Sequence, residues 1–254
     1  MLKTRSFLLF AACLFLLLGC GLTAPVTGPQ PTQTPKGNPG DINFDYSAVA
    51  QDVTLETVPA VPATHDGPYW EGTPQYRRLT LTGYSVTEHR LQPQIIIYTV
   101  ADLAPANETM GKYAADLQAL LNSHQVGAQI PFLPVSNEGQ LIRPRMEFMD
   151  FKSGQGIQFL TQLSQGMTVI NNHELIFAYQ GLTNDGKYYI SAIFPVTNAA
   201  LPAGSEMTDG QKKLLEDFPS YQSATMDLLE DQPADSFTPD LNALSALIRS
   251  IEVK

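Results

Sequence analysis

The chain has few thiols and few positive charges, and both shortages exclude whole classes of function. Its 254 residues contain two cysteines, one tryptophan, 15 Lys and Arg and 25 Asp and Glu, for a formal charge of −10. Cys13 lies in the apolar leader, and the only other cysteine is Cys20. Everything after residue 20 is therefore without disulfides, cysteine-ligated zinc or a cysteine nucleophile. An acidic chain is poorly suited to nucleic acid, whose binding rests on Lys and Arg neutralising phosphates. Catalytic signatures are also missing: there is no G-x-S-x-G elbow, no phosphate-binding P-loop and no H-E-x-x-H. His173-Glu174 begins like the last of these but continues Leu175-Ile176-Phe177-Ala178. Gly154-x-Gly156 is too short for a dinucleotide loop and reads as a turn between strands. No cofactor and no metal is expected.

Long apolar runs are scarce too. The longest, Phe7 to Leu18, follows Lys3 and Arg5 and precedes Gly19-Cys20. At roughly twelve residues it is too short to span a bilayer, which takes about 20. A basic start, a short apolar centre and a small residue before a boundary describe a secretory signal peptide.

Leu17-Leu18-Gly19-Cys20 resembles the bacterial lipobox. The resemblance implies a diacylglyceryl group on the Cys20 thiol, cleavage after Gly19, and a further acyl chain such as palmitate on the new amine. Two or three chains anchor a protein stably where one does not. Gly21, in place of aspartate, lacks the usual inner-membrane retention signal of two-membrane bacteria. Loss of residues 1–19 removes Lys3 and Arg5 and no acid, so the formal charge moves to about −12. Anionic headgroups would repel such a chain, which leaves the lipid as the membrane attachment. The expected location is extracytoplasmic, on the cell membrane or the outer membrane.

Residues 20–41 alternate Pro25, Pro29, Pro31, Pro35 and Pro39 with polar residues. Such a composition cannot bury enough apolar surface to fold, and proline keeps it extended, so it reads as a tether. Residues 42–254 read as a single α+β domain: an antiparallel sheet of about six strands packed with two to three helices.

Within it, residues 43–62 are ambiguous between strand and short helix. Residues 63–76 read as a loop punctuated by Gly and Pro. Leu79–Val86 and Ile95–Val100 read as neighbouring strands. A one-faced helix follows Asn107, its expected cap. Met146–Phe151, Ile157–Leu163, Leu175–Leu182 and Tyr188–Val196 are four strands of an antiparallel meander, with Thr183-Asn184-Asp185-Gly186 as a hairpin turn. Residues 208–230 read as helix, broken at Pro219. In the last helix Thr238 is the expected cap and Pro239 the first turn.

Gly186-Lys187-Tyr188-Tyr189-Ile190-Ser191, with the ending Leu247-Ile248-Arg249-Ser250-Ile251, resembles the C-terminal part of PsbP- and Mog1-like domains. That likeness covers about a quarter of the chain and implies a binding or assembly factor, as fold analogy alone. The chain is also similar to lipoproteins of environmental bacteria, from which no activity carries over.

Candidate chemistry is thin. The four histidines, His65, His89, His124 and His173, show no ligand spacing. If any site exists, His65 with Asp66 beside His173 and Glu174 is the first place to look. Glu147 and Asp150 have opposite parity on their strand and should face different sides. The acidic residues Glu230, Asp231, Asp235 and Asp240 surround Pro233 without a calcium-loop signature. Aromatics are the more suggestive feature. Tyr69 and Trp70 sit in the Gly/Pro-rich loop with Tyr76 close by, and rigidly held loops often carry function. In the doublet Tyr188-Tyr189 the rings must point to opposite faces. The expectation is a lipid-anchored, non-enzymatic binding or assembly module, its partner an envelope protein or glycan. These five aromatics are its candidate contacts. The rival is an envelope hydrolase, which requires two of Glu147, Asp150, His65, His173 and Glu174 within hydrogen-bonding reach.

Overall fold

Central strands with almost no polar residues demand cover on both sides, and the sheet answers that demand. The computed structural model describes residues 36–37, 41–127, 129–206 and 208–254. Cys20, the leader and most of the tether segment lie outside those residues. The described residues form one compact unit.

Its elements are β1 (Lys36–Gly37), β2 (Ile42–Asp45), β3 (Asp52–Val58), β4 (Tyr76–Thr82), β5 (Gln94–Thr99), α1 (Val100–Ala106), α2 (Glu108–Ser123), β6 (Gly139–Gln140), β7 (Glu147–Phe151), β8 (Gly154–Thr161) and β9 (Leu163–Ser164). There follow β10 (Ile176–Thr183), β11 (Tyr188–Pro195), β12 (Thr197–Asn198), α3 (Asp209–Leu215), α4 (Phe218–Asp231), β13 (Phe237–Thr238), α5 (Leu241–Arg249) and β14 (Glu252–Val253). The fold is α+β. A seven-stranded antiparallel sheet runs β3-β4-β5-β11-β10-β8-β7, two meanders joined where β5 meets β11. None of the helices described is long and apolar enough to cross a membrane.

Strands β10 and β11 are buried along nearly their whole length. Alternate residues feed two cores. Phe177, Tyr179, Ile190, Ala192 and Phe194 pack with Leu241, Leu244, Leu247 and Ile248 of α5. Ala178, Tyr189 and Ile193 pack with Met110, Ala114, Leu117 and Leu121 of α2. Helices thus cover both faces. Burying one such side chain contributes about 1.5–3 kcal/mol.

The hairpin turn falls where expected. Gly186 takes φ +70° and gives its N–H to the Thr183 carbonyl at 2.9 Å, while Asp185 accepts from the Thr183 hydroxyl at 2.7 Å. Asn107 caps α2 by accepting from the N–H groups of Thr109 and Met110.

Four expectations change. The ambiguous 43–62 stretch supplies β2 and β3, and β3 is the seventh strand of the sheet. Gly154-x-Gly156 lies within β8, not in a turn. A Cβ on Gly156 would come within 2.4 Å of the Tyr179 ring, whose hydroxyl donates to the Met149 carbonyl at 3.0 Å, so glycine makes room for that ring. The 208–230 helix breaks before Pro219, which occupies the first turn of α4. Finally, α5 is capped by Asp240, which accepts from the Asn242 N–H at 2.8 Å; Thr238 is committed to an extended pairing with Thr197.

Candidate functional site

A loop carrying two large aromatics needs anchors if its rings are to hold position, and Asn107 provides them. The side chain that caps α2 with its oxygen also donates its amide to the carbonyls of Tyr69 (3.0 Å), Glu71 (2.7 Å) and Gly72 (3.3 Å). Gly72 adopts φ +85°, and Thr64 donates its hydroxyl to Glu71 across the loop at 2.6 Å. The two rings stack edge to face with centroids 4.9 Å apart. Tyr69 is 55% exposed and Trp70 38%. The Tyr69 hydroxyl donates to the Ser136 carbonyl at 3.0 Å, which fixes the ring against the opposite wall.

That wall is the segment from 129 to 140, and the space between it and α2 is a cleft of about 420 Å³. Tyr69, Tyr113, Ile130, Phe132, Pro134 and Asn137 are among its lining. Its charges are already matched: Lys112 with Asp116 at 2.5 Å, and Glu138 with Arg90 at 2.9 Å.

Two buried glutamines hold the wall. Gln140 accepts from the Ile130 N–H at 3.1 Å and donates to its carbonyl at 2.6 Å. Gln180, on β10, accepts from the Leu133 N–H at 3.0 Å and from the Tyr189 hydroxyl at 2.7 Å, and donates to Ser191 at 2.9 Å. Ser191 donates on to the Leu133 carbonyl at 2.5 Å. Burial pushes the Tyr189 hydroxyl well above the usual tyrosine range, so it remains a donor in this network.

The five aromatic candidates therefore separate. Tyr69 lines the cleft, and Trp70 packs edge-on against the Tyr69 ring without lining the cleft itself. Tyr76 packs on Tyr98 at 5.1 Å, as part of the α2-side core. Tyr188 packs toward the α5-side core, its ring under the Arg77 guanidinium at 5.3 Å. Tyr189 is fully buried and presents nothing to a ligand; the doublet does point to opposite faces, and the ring on the cleft side is the core one. Asn107 and Gln180, which are not aromatic, position the loop and the wall of this cleft. The signal for Gln180 is a lone amide inside the otherwise apolar strand Ile176–Leu182.

The residues that a hydrolase requires are dispersed. Phe148 and Met149 of β7 feed opposite cores, so Glu147 and Asp150 face opposite ways. Glu147 accepts from Gln158 at 2.8 Å and borders a second concavity of about 370 Å³ with Ser245 and Arg249, which Asp150 does not line. His65 is exposed in the Tyr69 loop, whereas the His173 ring lies 6.2 Å from that of His89. His89 donates from Nε2 to the Leu175 carbonyl at 3.0 Å and accepts the Leu91 N–H at Nδ1 at 2.9 Å, and burial lowers its pKa. His124 ends α2 against Phe148, ring centroids 4.3 Å apart. Glu230 accepts from the distant Arg145 N–H at 2.5 Å and Asp240 caps α5, so these two acids serve backbone groups. Among the described residues no three His, Cys, Asp or Glu side chains converge as metal ligands. Comparison with family models, curated proteins and solved structures finds no match.

Proposed function

We propose that this chain is an exported binding or assembly module, attached to a membrane by lipid on Cys20 and lifted from it by the Pro/Thr-rich tether. Its ligand is a component of the envelope, protein or glycan, and the cleft between α2 and the 129–140 wall receives it. The observation that supports this reading best is the Tyr69 ring, held at the cleft by Asn107 beneath its loop and by Ser136 across the gap. Exposed aromatics fixed before binding lose little entropy on contact, which is why Tyr and Trp dominate binding hot spots. The paired charges leave a neutral cleft, suited to uncharged polar ligands with an apolar face.

Trp70 is the single tryptophan, so its fluorescence reports on this loop alone. Titration with solubilised envelope glycan and with envelope protein fractions is expected to shift its emission saturably with one of them. Tyr69→Ala should weaken that binding at least ~10-fold, the scale of a hot-spot residue. Unchanged affinity in Tyr69→Ala would remove the cleft from the reading. For the anchor, Cys20→Ser is expected to move the protein into soluble fractions; full retention on membranes would overturn that part.

A further inference from the structure

Strand β3 ends the sheet, and among the described residues it pairs with β4 alone. Open edges offer unpaired N–H and C=O groups to any other strand, and proteins blunt them with lysine, proline or a bulge. Between Asp52 and Val58 there is no lysine and no proline, and the register with β4 runs unbroken over all seven residues.

Which groups point outward follows from the next strand in. Leu81 gives its N–H to the Pro93 carbonyl at 3.0 Å, on the β5 side. Its partner Val53 therefore forms no ladder bond with it and directs its own N–H and C=O outward. Alternation extends this to Leu55 and Thr57. The Asp52 carboxylate already accepts the outward Val53 N–H at 2.8 Å, and Asp52 and Glu56 are the two charges on this edge.

We propose that β3 pairs antiparallel with β3 of a second copy of this chain, in a two-fold register centred on Leu55. In that register the outward residues meet each other: Leu55 with Leu55 of the copy, and Val53 with Thr57 both ways. Two bonds per opposed pair make about six hydrogen bonds once Asp52 releases the Val53 N–H in each copy, and about four while it holds it. Asp52 falls opposite Val58, and Glu56 opposite Thr54, so no like charges face. The neighbouring registers are worse. Centring on Thr54 sets Asp52 against Glu56, and centring on Glu56 sets that residue against itself, each a like-charge pair. Centring on Thr57 opposes Leu55 to Pro59, which has no N–H. Centring on Val53 opposes Leu55 to Gln51, whose N–H is spent on the Thr82 carbonyl at 2.9 Å. Leu55, a leucine 38% exposed, sits on the two-fold axis. The contact uses the same edge on both copies, so it closes at a dimer. A single strand pair falls below the ~1,000 Å² of stable complexes, so the dimer is weak in dilute solution and favoured where copies are concentrated.

The test uses the full chain in mild detergent with Cys13→Ser and Cys20→Ser, which leaves no other thiol. With a short bifunctional thiol reagent, Leu55→Cys is expected to give a crosslinked dimer several-fold faster than Val61→Cys, a neighbouring position that is 53% exposed. Val53→Cys and Thr57→Cys chains should crosslink when mixed and much less when alone. Adding Asp52→Ala to Leu55→Cys should raise the yield several-fold by uncovering the Val53 N–H. Tyr69→Ala should leave every yield unchanged, which separates this edge from the cleft. Leu55→Cys crosslinking no faster than Val61→Cys would overturn the proposal. So would Val53→Cys crosslinking with itself as well as with Thr57→Cys, because that marks another register.

Discussion

The two faces of the sheet are held by different physics. On the α5 face the contact is mostly apolar, with Leu244 and Ile248 fully buried against Phe177, Ile190 and Phe194, and its buried bonds, such as Ser245 to Gln158 at 2.9 Å, join regular elements to one another. On the α2 face a similar apolar layer is extended by a polar one, in which Gln140, Gln180, Ser191 and Asn107 tie irregular chain to sheet and helix. Apolar contact is non-directional and supplies most of the folding free energy. Hydrogen bonds add little net energy each but fix direction, and leaving one buried partner unmade is costly. The α5 face thus serves stability, while the α2 face builds a shaped surface on which Tyr69 and Trp70 stand.

Substitutions on the two faces should accordingly fail in different ways. Leu244→Ala removes a fully buried side chain from the α5 core and is expected to lower unfolding free energy by about 3–5 kcal/mol. Denaturant titration measures this, and ligand affinity of the remaining folded protein should not change. Gln180→Ala strands the Leu133 N–H and the Tyr189 hydroxyl in the interior, at a cost of about 1–3 kcal/mol. Here amide exchange should accelerate between residues 130 and 134 well before global unfolding. If exchange accelerates uniformly, the division of labour between the faces is wrong. Asn107→Ala loses a helix cap, about 1 kcal/mol, together with the three loop carbonyl bonds. Its sharper readout is the Trp70 emission, expected to move to the red with lowered anisotropy as the loop loosens. Asn107→Asp, which keeps the cap and loses the amide donor, should retain stability better than emission.

The smallest effect concerns pH. Burial holds the His89 pKa below its ordinary 6.5, so the fold prefers the neutral ring that bonds Leu91 and Leu175. The unfolded chain then binds more protons below that value. Stability is expected to be full above about pH 6.5 and to fall as pH drops toward the folded-state pKa. His89→Gln should flatten that part of a melting-temperature profile between pH 5 and 7; an unchanged slope assigns it to another group.

Much of the architecture was legible because its signals are local. The apolar, β-branched runs at 95–100, 175–182 and 188–196 have strand composition whatever lies beside them, and Asn184-Asp185-Gly186 encodes its turn in three residues. The 108–123 helix announces itself by an apolar stripe behind Asn107. Where sequence reading failed, a distant partner had intervened. Thr238 has the chemistry of a cap, but Thr197 draws it into a strand. Gly154-x-Gly156 looks like a turn until the Tyr179 ring fills the space above it. The candidate site fared less well, because Tyr69, Tyr76, Tyr188 and Tyr189 are chemically alike and only packing tells them apart.

From the sequence alone come the composition that leaves no cysteine after residue 20, the parity that sends Tyr188 and Tyr189 to opposite faces, and the antiparallel meander of the second half. These rest on covalent identity and on backbone periodicity, which neighbours in the chain determine. Only the tertiary structure decided that Tyr189 is core and Tyr69 exposed, that Asn107 serves a loop as well as a helix, and that β3 is the end strand of the sheet. Each of those depends on which residues meet across tens of positions of chain. Side-chain burial and register are set by the free energy of the whole packing, not by any segment of it.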